Sequence, residues 1–134
     1  MASKYSLRII SILFVLILFF SNKLFTMDKI ANQNQEIGTK EAWELNNSGK
    51  IIIFDVRTEK EWYQTGIIPE SYLISMHDNN FNERIGFLSE IVEIIGSDKN
   101  TTIGLICASG ARSAITQNAL MKKGYVNALN IVEG

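Results

Sequence analysis

The sequence predicts an α/β domain built on a mostly parallel sheet with helices on both faces. Apolar, β-branched runs typical of buried strands alternate along the chain with stretches whose apolar residues recur at helical spacing. The chain has 134 residues, of which 46% are apolar and 20% charged, an ordinary composition for one globular domain. Because helices separate the strands, we expect crossover connections and therefore a parallel sheet.

The first half of the domain begins with a short strand at Glu36–Gly38 and a helix over Thr39–Asn47. Trp43 is expected to be the core-facing residue of that helix, which Ser48 and Gly49 end. The run Ile51–Phe54 is continuously apolar, which is typical of a strand buried on both faces.

The middle of the chain contains a helix start, a strand and a longer helix. Thr58-x-x-Glu61 forms a capping box at the start of a helical turn. A strand is predicted at Tyr72–Ile74 and a helix at Asn82–Ile95, stopped by the Gly-Ser pair that follows. The apolar face of this helix is expected to carry Ile85, Leu88, Ile91, Val92 and Ile95.

The only cysteine of the chain lies where a strand is expected to meet a helix. Residues 101–106 predict that strand, residues 113–123 the helix, and residues 125–131 a closing strand. Strand and helix are joined by the heptapeptide Cys107-Ala108-Ser109-Gly110-Ala111-Arg112-Ser113.

A thiol in this position is suited to chemistry. The free N–H groups and the positive dipole end of the following helix favour a thiolate or a bound anion, and Arg112 adds a fixed positive charge. Together they are expected to depress the pKa of Cys107. The small residues of the loop allow successive amides to face one concavity. The competing interpretation, a buried cysteine that serves only packing, does not require Gly110 and Arg112 at a helix entry.

Five further charged or titratable residues have structural or functional interpretations. Asp55, at the end of the neighbouring strand, either lines the site around Cys107 or anchors the Cys107–Ser113 loop by hydrogen bonding. The sequence leaves both roles open. Arg57 and Glu61 are four residues apart and are predicted to pair with each other. His77 and Asp78 have no second histidine or cysteine near them in sequence, so no metal site is expected.

Three segments, in the right order, are similar to motifs of the rhodanese-like sulfurtransferase family. The loop resembles the family pattern Cys-x-x-Gly-x-Arg-Ser/Thr. Residues 55–71 resemble its Asp-x-Arg, Glu-Phe/Trp and Gly-His-Ile-x-Gly-Ala segment, and residues 124–134 its closing strand. The resemblance covers about residues 36–134, which we assign as the rhodanese-like domain.

The resemblance implies a five-stranded α/β sheet with the active loop at the carboxyl end of a strand, as is general for open α/β sheets. It also implies that Cys107 is the catalytic nucleophile and carries a persulfide. The donor would be thiosulfate or another persulfide and the acceptor a thiol or cyanide, with no metal or organic cofactor. The binding loop would consist of Ala108, Ser109, Gly110, Ala111, Arg112 and Ser113.

The chain departs from the family pattern at several places. Ala108 stands where many active members have Arg or Lys, which favours a neutral or protein-bound persulfide over thiosulfate. Ile67 replaces a usual His and Glu70 a usual Gly. Relatives continue past the position of Gly134 with a helix that packs on the sheet, and that helix is expected to be missing here.

Two alternatives accompany the sulfurtransferase prediction. A cysteine phosphatase of the same fold uses Cys-x5-Arg, whereas the spacing here is Cys-x4-Arg, a ring too small for a phosphoryl group. A non-catalytic rhodanese-like module that binds anions or a protein at the cell envelope remains open.

The N-terminal segment predicts export. Lys4 and Arg8 precede the apolar run Ile9–Phe20, so residues 1–26 are interpreted as a signal peptide or a membrane anchor and residues 27–35 as a linker. The domain is then expected in the periplasm, free or anchored to the inner membrane and facing the periplasm.

Charge argues against nucleic acid as a partner. Of the 13 Lys and Arg residues, three lie in residues 1–26, which contain no acidic residue. The remainder of the chain therefore has 10 basic and 14 acidic residues and a formal charge of −4. The sequence does not indicate an oligomeric state.

Overall fold

The computed structural model describes residues 35–133, in which five strands alternate with four helices. The strands are β1 (Glu36–Gly38), β2 (Ile52–Asp55), β3 (Tyr72–Leu73), β4 (Ile103–Ile106) and β5 (Ala128–Val132). The helices are α1 (Thr39–Asn47), α2 (Glu59–Thr65), α3 (Phe87–Ile95) and α4 (Ala111–Lys122).

All neighbouring strands pair in parallel, and their order in the sheet is β1-β5-β4-β2-β3. This confirms the predicted α/β class with a parallel sheet. β4 lies in the middle of the sheet, between β2 and β5, and all four of its residues are buried. The carboxyl end of β4 is therefore flanked by a strand end on each side.

Apolar side chains cover both faces of the sheet. On one face, Phe54 and Leu105 pack in a cluster with Phe87 and Ile91 of α3 and Leu120 of α4. On the other face, a smaller cluster contains Ala42 of α1 with Ile37, Ile51, Ile53, Ile106 and Ile131. The two clusters account for the continuous apolar character of the central strands, since such strands face apolar neighbours on both sides.

Gly104 allows the second cluster to close on β4. A Cβ atom at this position would lie 2.8 Å from Cδ1 of Ile51 and 3.0 Å from Cδ1 of Ile131. The side chains of Ile51, just before β2, and of Ile131 in β5 thus occupy the space that any larger residue would need.

The helix predicted over residues 82–95 is wrong at its start, because α3 begins only at Phe87. The side chain of Asp78 accepts backbone N–H bonds from Asn80 and Asn82, which holds the preceding segment in a loop. Gly86 then enters the helix in the left-handed conformation. Ile85 consequently lies outside the helix and is fully exposed instead of in the core.

The orientation of α1 also differs from the prediction, although its bounds agree. Trp43 is 47% exposed, and the residue that the helix buries is Ala42. Relative to the prediction, the helix is rotated about its axis so that Ala42 instead of Trp43 faces the sheet. Ala42 packs there with the isoleucines of the smaller cluster.

Other boundaries shift by a few residues. The strands expected at residues 101–106 and 125–131 are observed as β4 and β5, and the helix expected at residues 113–123 begins two residues earlier, at Ala111. Segment 1–26 and all but the last residue of the expected linker lie outside the described residues. No helix within residues 35–133 has the length and apolar character to cross a bilayer.

Candidate active site

The candidate active site is the turn that connects β4 to α4. Cys107 follows the last residue of β4 directly, and Gly110 ends the turn with φ +82°, in the left-handed region where glycine is favoured. Ala108, Ser109 and Ala111 are exposed at the surface of this loop, whereas Ser113 is buried beneath it. Because α4 begins at Ala111, the second half of the predicted loop forms the first turn of the helix.

The sulfur of Cys107 is fully buried and borders the larger apolar cluster. It nevertheless has two polar neighbours. The backbone N–H of Gly110 donates to Sγ at 3.1 Å, and the Ser113 hydroxyl oxygen lies 3.3 Å from Sγ. A cysteine that serves only packing needs neither contact, so the environment combines a covered sulfur with groups that stabilise a thiolate.

The pKa of Cys107 results from opposing effects. Burial of the sulfur is the largest and raises the pKa. Hydrogen bonds lower it, first from the Ser113 side chain and then from the backbone around the turn, at Ser113, Ser109 and Arg112. Because the hydrogen bonds together outweigh burial, the pKa of the thiol lies below its ordinary value, in the direction that the loop sequence predicts.

Arg112 does not extend into the concavity as an unpaired cation. Its Nη1 and Nη2 donate to the two carboxylate oxygens of Glu61 at 2.7 Å and 2.6 Å, a bidentate ion pair. Hydrogen bonding to Arg112, opposed by burial and assisted by Thr58, lowers the pKa of Glu61 to about 2. The predicted pairing of Glu61 with Arg57 is wrong, because α2 turns Glu61 toward the loop.

Asp55 and Arg57 form a second ion pair, next to the candidate site. Asp55 is fully buried and accepts from the backbone N–H of Arg57 at 3.1 Å and from Nη2 at 2.6 Å. Arg57 also donates to the Thr65 hydroxyl at 2.5 Å and to the Gly66 carbonyl at 2.7 Å. Both oxygens of Asp55 thus contact Arg57, and the pair connects the end of β2 to the end of α2.

Two residues that contact the loop were not assigned to the site by sequence reasoning. The capping box with Thr58 places Glu61 in the first turn of α2. No local sequence pattern, however, indicates that Glu61 forms an ion pair with Arg112, 51 residues away. Asn130 in β5 is buried, and its Nδ2 lies 3.4 Å from the Gly110 carbonyl oxygen. No sequence pattern indicates that an asparagine within an apolar strand contacts a loop elsewhere in the chain.

An open cleft of about 640 Å³ lies beside α2. Thr58 and Glu61 line it, so it adjoins the group that holds Arg112. Tyr63 and Phe81 also line it and are 92% and 69% exposed. Within residues 35–133, no three His, Cys, Asp or Glu side chains are grouped so that they could share a metal ion.

Comparisons with known proteins match this architecture. The chain is 35% identical over 98 residues to the uncharacterized protein RP600 of Rickettsia prowazekii (strain Madrid E), which covers 67% of this chain and 72% of that protein. It is 30% identical over 109 residues to the uncharacterized protein RC0915 of Rickettsia conorii, covering 75% of this chain and 82% of that protein.

Solved structures show the same fold at low sequence identity. The crystal structure of Rv0390 from M. tuberculosis has a TM-score of 0.56 and 22% identity, covering 74% of this chain and 80% of that one. The human single-domain sulfurtransferase TSTD1 has a TM-score of 0.51 and 20% identity, covering 72% of this chain and 88% of that one. A family model described as the rhodanese-like domain matches residues 38–134. By its parallel sheet, its cysteine loop and this match, the chain belongs to the rhodanese-like domain family.

Proposed function

We propose that the protein is a sulfurtransferase that carries a sulfane sulfur on Cys107. The observation that supports this most directly is the contact of the Cys107 sulfur with the Gly110 N–H and the Ser113 hydroxyl at the start of α4. These groups stabilise a negative charge on sulfur, and both the nucleophilic thiolate and the terminal sulfur of a persulfide carry such a charge.

The reaction consists of two displacements. In the first, the Cys107 thiolate attacks the outer sulfur of a donor, and the donor's sulfur bond breaks with its electron pair on the leaving group. That group is sulfite if the donor is thiosulfate and a thiolate if the donor is a persulfide. In the second, an acceptor thiolate or cyanide attacks the terminal sulfur, which restores the Cys107 thiolate. Neither step requires an external oxidant or reductant.

The charges around the loop favour a persulfide donor over thiosulfate. Thiosulfate is a dianion and gains most from unpaired cations, but Ala108 contributes none and both Nη atoms of Arg112 bind Glu61. A persulfide anion has a single negative charge, which the loop N–H groups can stabilise by donating hydrogen bonds to it. We therefore propose a low-molecular-weight or protein-bound persulfide as the preferred donor.

Intact-mass measurement of the purified chain tests the proposal. After treatment with a low-molecular-weight persulfide, we expect a mass increase of one sulfur atom that cyanide removes as thiocyanate. The Cys107→Ser variant is the matched control and should remain unmodified. Absence of the adduct with both persulfide and thiosulfate, in a protein with an intact fold, would exclude sulfur transfer.

A non-catalytic protein-binding module is the second candidate function. It is favoured by the covered sulfur of Cys107 and by the exposed rings of Tyr63 and Phe81, which line a cleft next to Glu61. In that case neither donor would modify the protein. A Tyr63→Ala, Phe81→Ala double variant would then lose binding to the partner protein. The sulfurtransferase proposal instead expects this variant to form the Cys107 persulfide.

A further inference from the structure

Asn130 lies directly beneath the turn that holds the candidate nucleophile. Its side chain is 97% buried, since only 3% of the residue is exposed, and its Nδ2 faces the Gly110 carbonyl oxygen at 3.4 Å. A Cβ atom placed on Gly110 would lie 3.6 Å from the same nitrogen, so the amide is packed against the turn itself.

The amide of Asn130 is poorly satisfied. Its Oδ1 is buried and has no hydrogen-bond partner among the described residues. A buried unpaired acceptor costs stability, which an apolar side chain of the same size would avoid. The contact that the side chain does make, to Gly110, therefore suggests a role for the amide other than stabilising β5.

The Gly110 carbonyl is shared by three donors. The backbone N–H of Ala114 donates to it at 2.9 Å and the Ser113 hydroxyl at 3.0 Å, in addition to the longer contact from Asn130. A carbonyl oxygen has two lone pairs, so the three donors compete.

The Ser113 hydroxyl has only one proton and two acceptors within reach. It can donate to the Gly110 carbonyl at 3.0 Å or to the Cys107 sulfur at 3.3 Å. When the Gly110 carbonyl is occupied by the other two donors, donation to the thiolate is the remaining choice.

We propose that Asn130 is a positioning residue, which acts by occupying the Gly110 carbonyl and thereby directs the Ser113 proton toward the Cys107 sulfur. The importance of this for turnover rests on the proposed sulfurtransferase function. The hydrogen-bond arrangement itself does not, because it concerns the resting thiolate before any donor is bound.

The test is a double-mutant cycle on the Cys107 pKa, measured by the ultraviolet absorbance of the thiolate as a function of pH in the full chain. Cys107→Ser supplies the blank for tyrosine absorbance. Asn130→Leu removes the amide, and we expect it to raise the Cys107 pKa by about 0.5–1 unit. In a Ser113→Ala background, the same substitution should produce no further rise, because the hydroxyl through which Asn130 acts is gone.

Two further variants serve as controls, one for folding and one for the loss of an amide elsewhere in the domain. Asn130→Val, which suits a strand and also lacks the amide, replaces the leucine variant if the latter does not fold. Asn127→Ala removes an amide that donates to the Asn100 carbonyl, away from the loop, and should leave the Cys107 pKa unchanged.

Two results would overturn the proposal. One is an unchanged Cys107 pKa in the folded Asn130 variants. The other is an equal rise with and without the Ser113 hydroxyl, which would mean that Asn130 acts on the sulfur by another route. Since no sulfur donor is present, both results are independent of whether the protein transfers sulfur.

Discussion

At the scale of single residues, the chemistry of the loop depends on opposing effects at one sulfur atom. Burial of Cys107 favours the neutral thiol, whereas the Ser113 hydroxyl and the turn amides favour the thiolate. Hydrogen bonds to a charged group contribute about 1.5–3 kcal/mol each, so a few of them can exceed the desolvation of a thiolate. The same sulfur has no solvent-exposed surface in this structure.

Ala108 offers a direct way to change donor preference. We expect Ala108→Arg to increase sulfur transfer from thiosulfate about 10-fold or more, because a charge-assisted hydrogen bond contributes about 1.5–3 kcal/mol. Transfer from a persulfide, which has one negative charge fewer than thiosulfate, should change much less. The measurement is the ratio of kcat/KM for the two donors.

A matched control for this prediction is Ile115→Arg, which adds the same charge at an exposed position of α4 outside the turn. It should leave the donor ratio unchanged. If both arginine variants raise thiosulfate use equally, the effect is general electrostatic attraction and residue 108 has no specific role.

At the scale of elements, α2 is held at both ends by arginines from outside the helix. Glu61 in its first turn binds Arg112 of α4, and Thr65 and Gly66 at its end bind Arg57, which follows β2. No residue of this seven-residue helix is fully buried. The Glu61–Arg112 ion pair and the hydrogen bonds of Arg57 to Thr65 and Gly66 therefore help to hold α2 beside the active loop.

The Asp55–Arg57 pair is expected to contribute mainly to stability. Arg57→Ala leaves the fully buried Asp55 carboxylate without its partner, and loss of one member of such a pair costs about 3–5 kcal/mol. Denaturant unfolding measures the loss, and the Cys107 pKa should remain unchanged. Lys60→Ala, at an exposed position of α2, is the control and should cost little. A stability loss below 1 kcal/mol for Arg57→Ala would contradict the assigned role.

The Glu61–Arg112 pair predicts a dependence of stability on pH. The pKa of Glu61 is lowered from 4.5 to about 2 in the folded protein, so its contribution is fully present above pH 4.5 and is lost as the pH falls toward 2. Because solvent screens this pair in part, Glu61→Gln should reduce the free energy of unfolding by about 1–2 kcal/mol at pH 7 and by less than half of that at pH 3.

Glu90→Gln serves as the comparison for Glu61, because its ion pair with Arg84 is more exposed to solvent than the Glu61–Arg112 pair. Such surface pairs contribute about 0–1 kcal/mol, so this variant should be nearly as stable as the unmodified protein. A loss for Glu61→Gln that is the same at pH 7 and pH 3 would show that the carboxylate charge is not responsible.

At the scale of the whole molecule, the N-terminal sequence leads us to propose that the domain acts outside the cytoplasm. Lys4 and Arg8 followed by an apolar run are typical of an export signal, and the remaining chain is acidic. A reporter that is active only in the periplasm, fused after Gly134 of the full chain, should be active in a bacterial host. Fractionation then distinguishes a released domain from an anchored one.

The control for export replaces Ile12 and Leu16 with Asp, which interrupts the apolar run without changing the domain. Reporter activity should be lost in this variant. Activity of a reporter that works only in the cytoplasm, with the natural sequence in front of it, would contradict export.

Much of the fold could be predicted from the sequence because its signals are local. The bounds of β1 and α1, the capping box at Thr58 and the turn from β4 into α4 all depend on residues within a few positions of one another. Hydrophobic periodicity and helix caps act over that distance, and continuous apolar strands indicate a sheet covered on both faces. The position of Cys107 at a helix start is local in the same sense.

Only the tertiary structure decided which groups meet across long sequence distances. Glu61 binds Arg112, 51 residues away, instead of the nearby Arg57, and Asn130 reaches Gly110 from another strand. The physical reason is that long charged side chains and buried amides choose partners by the packing of whole elements, which no local pattern specifies.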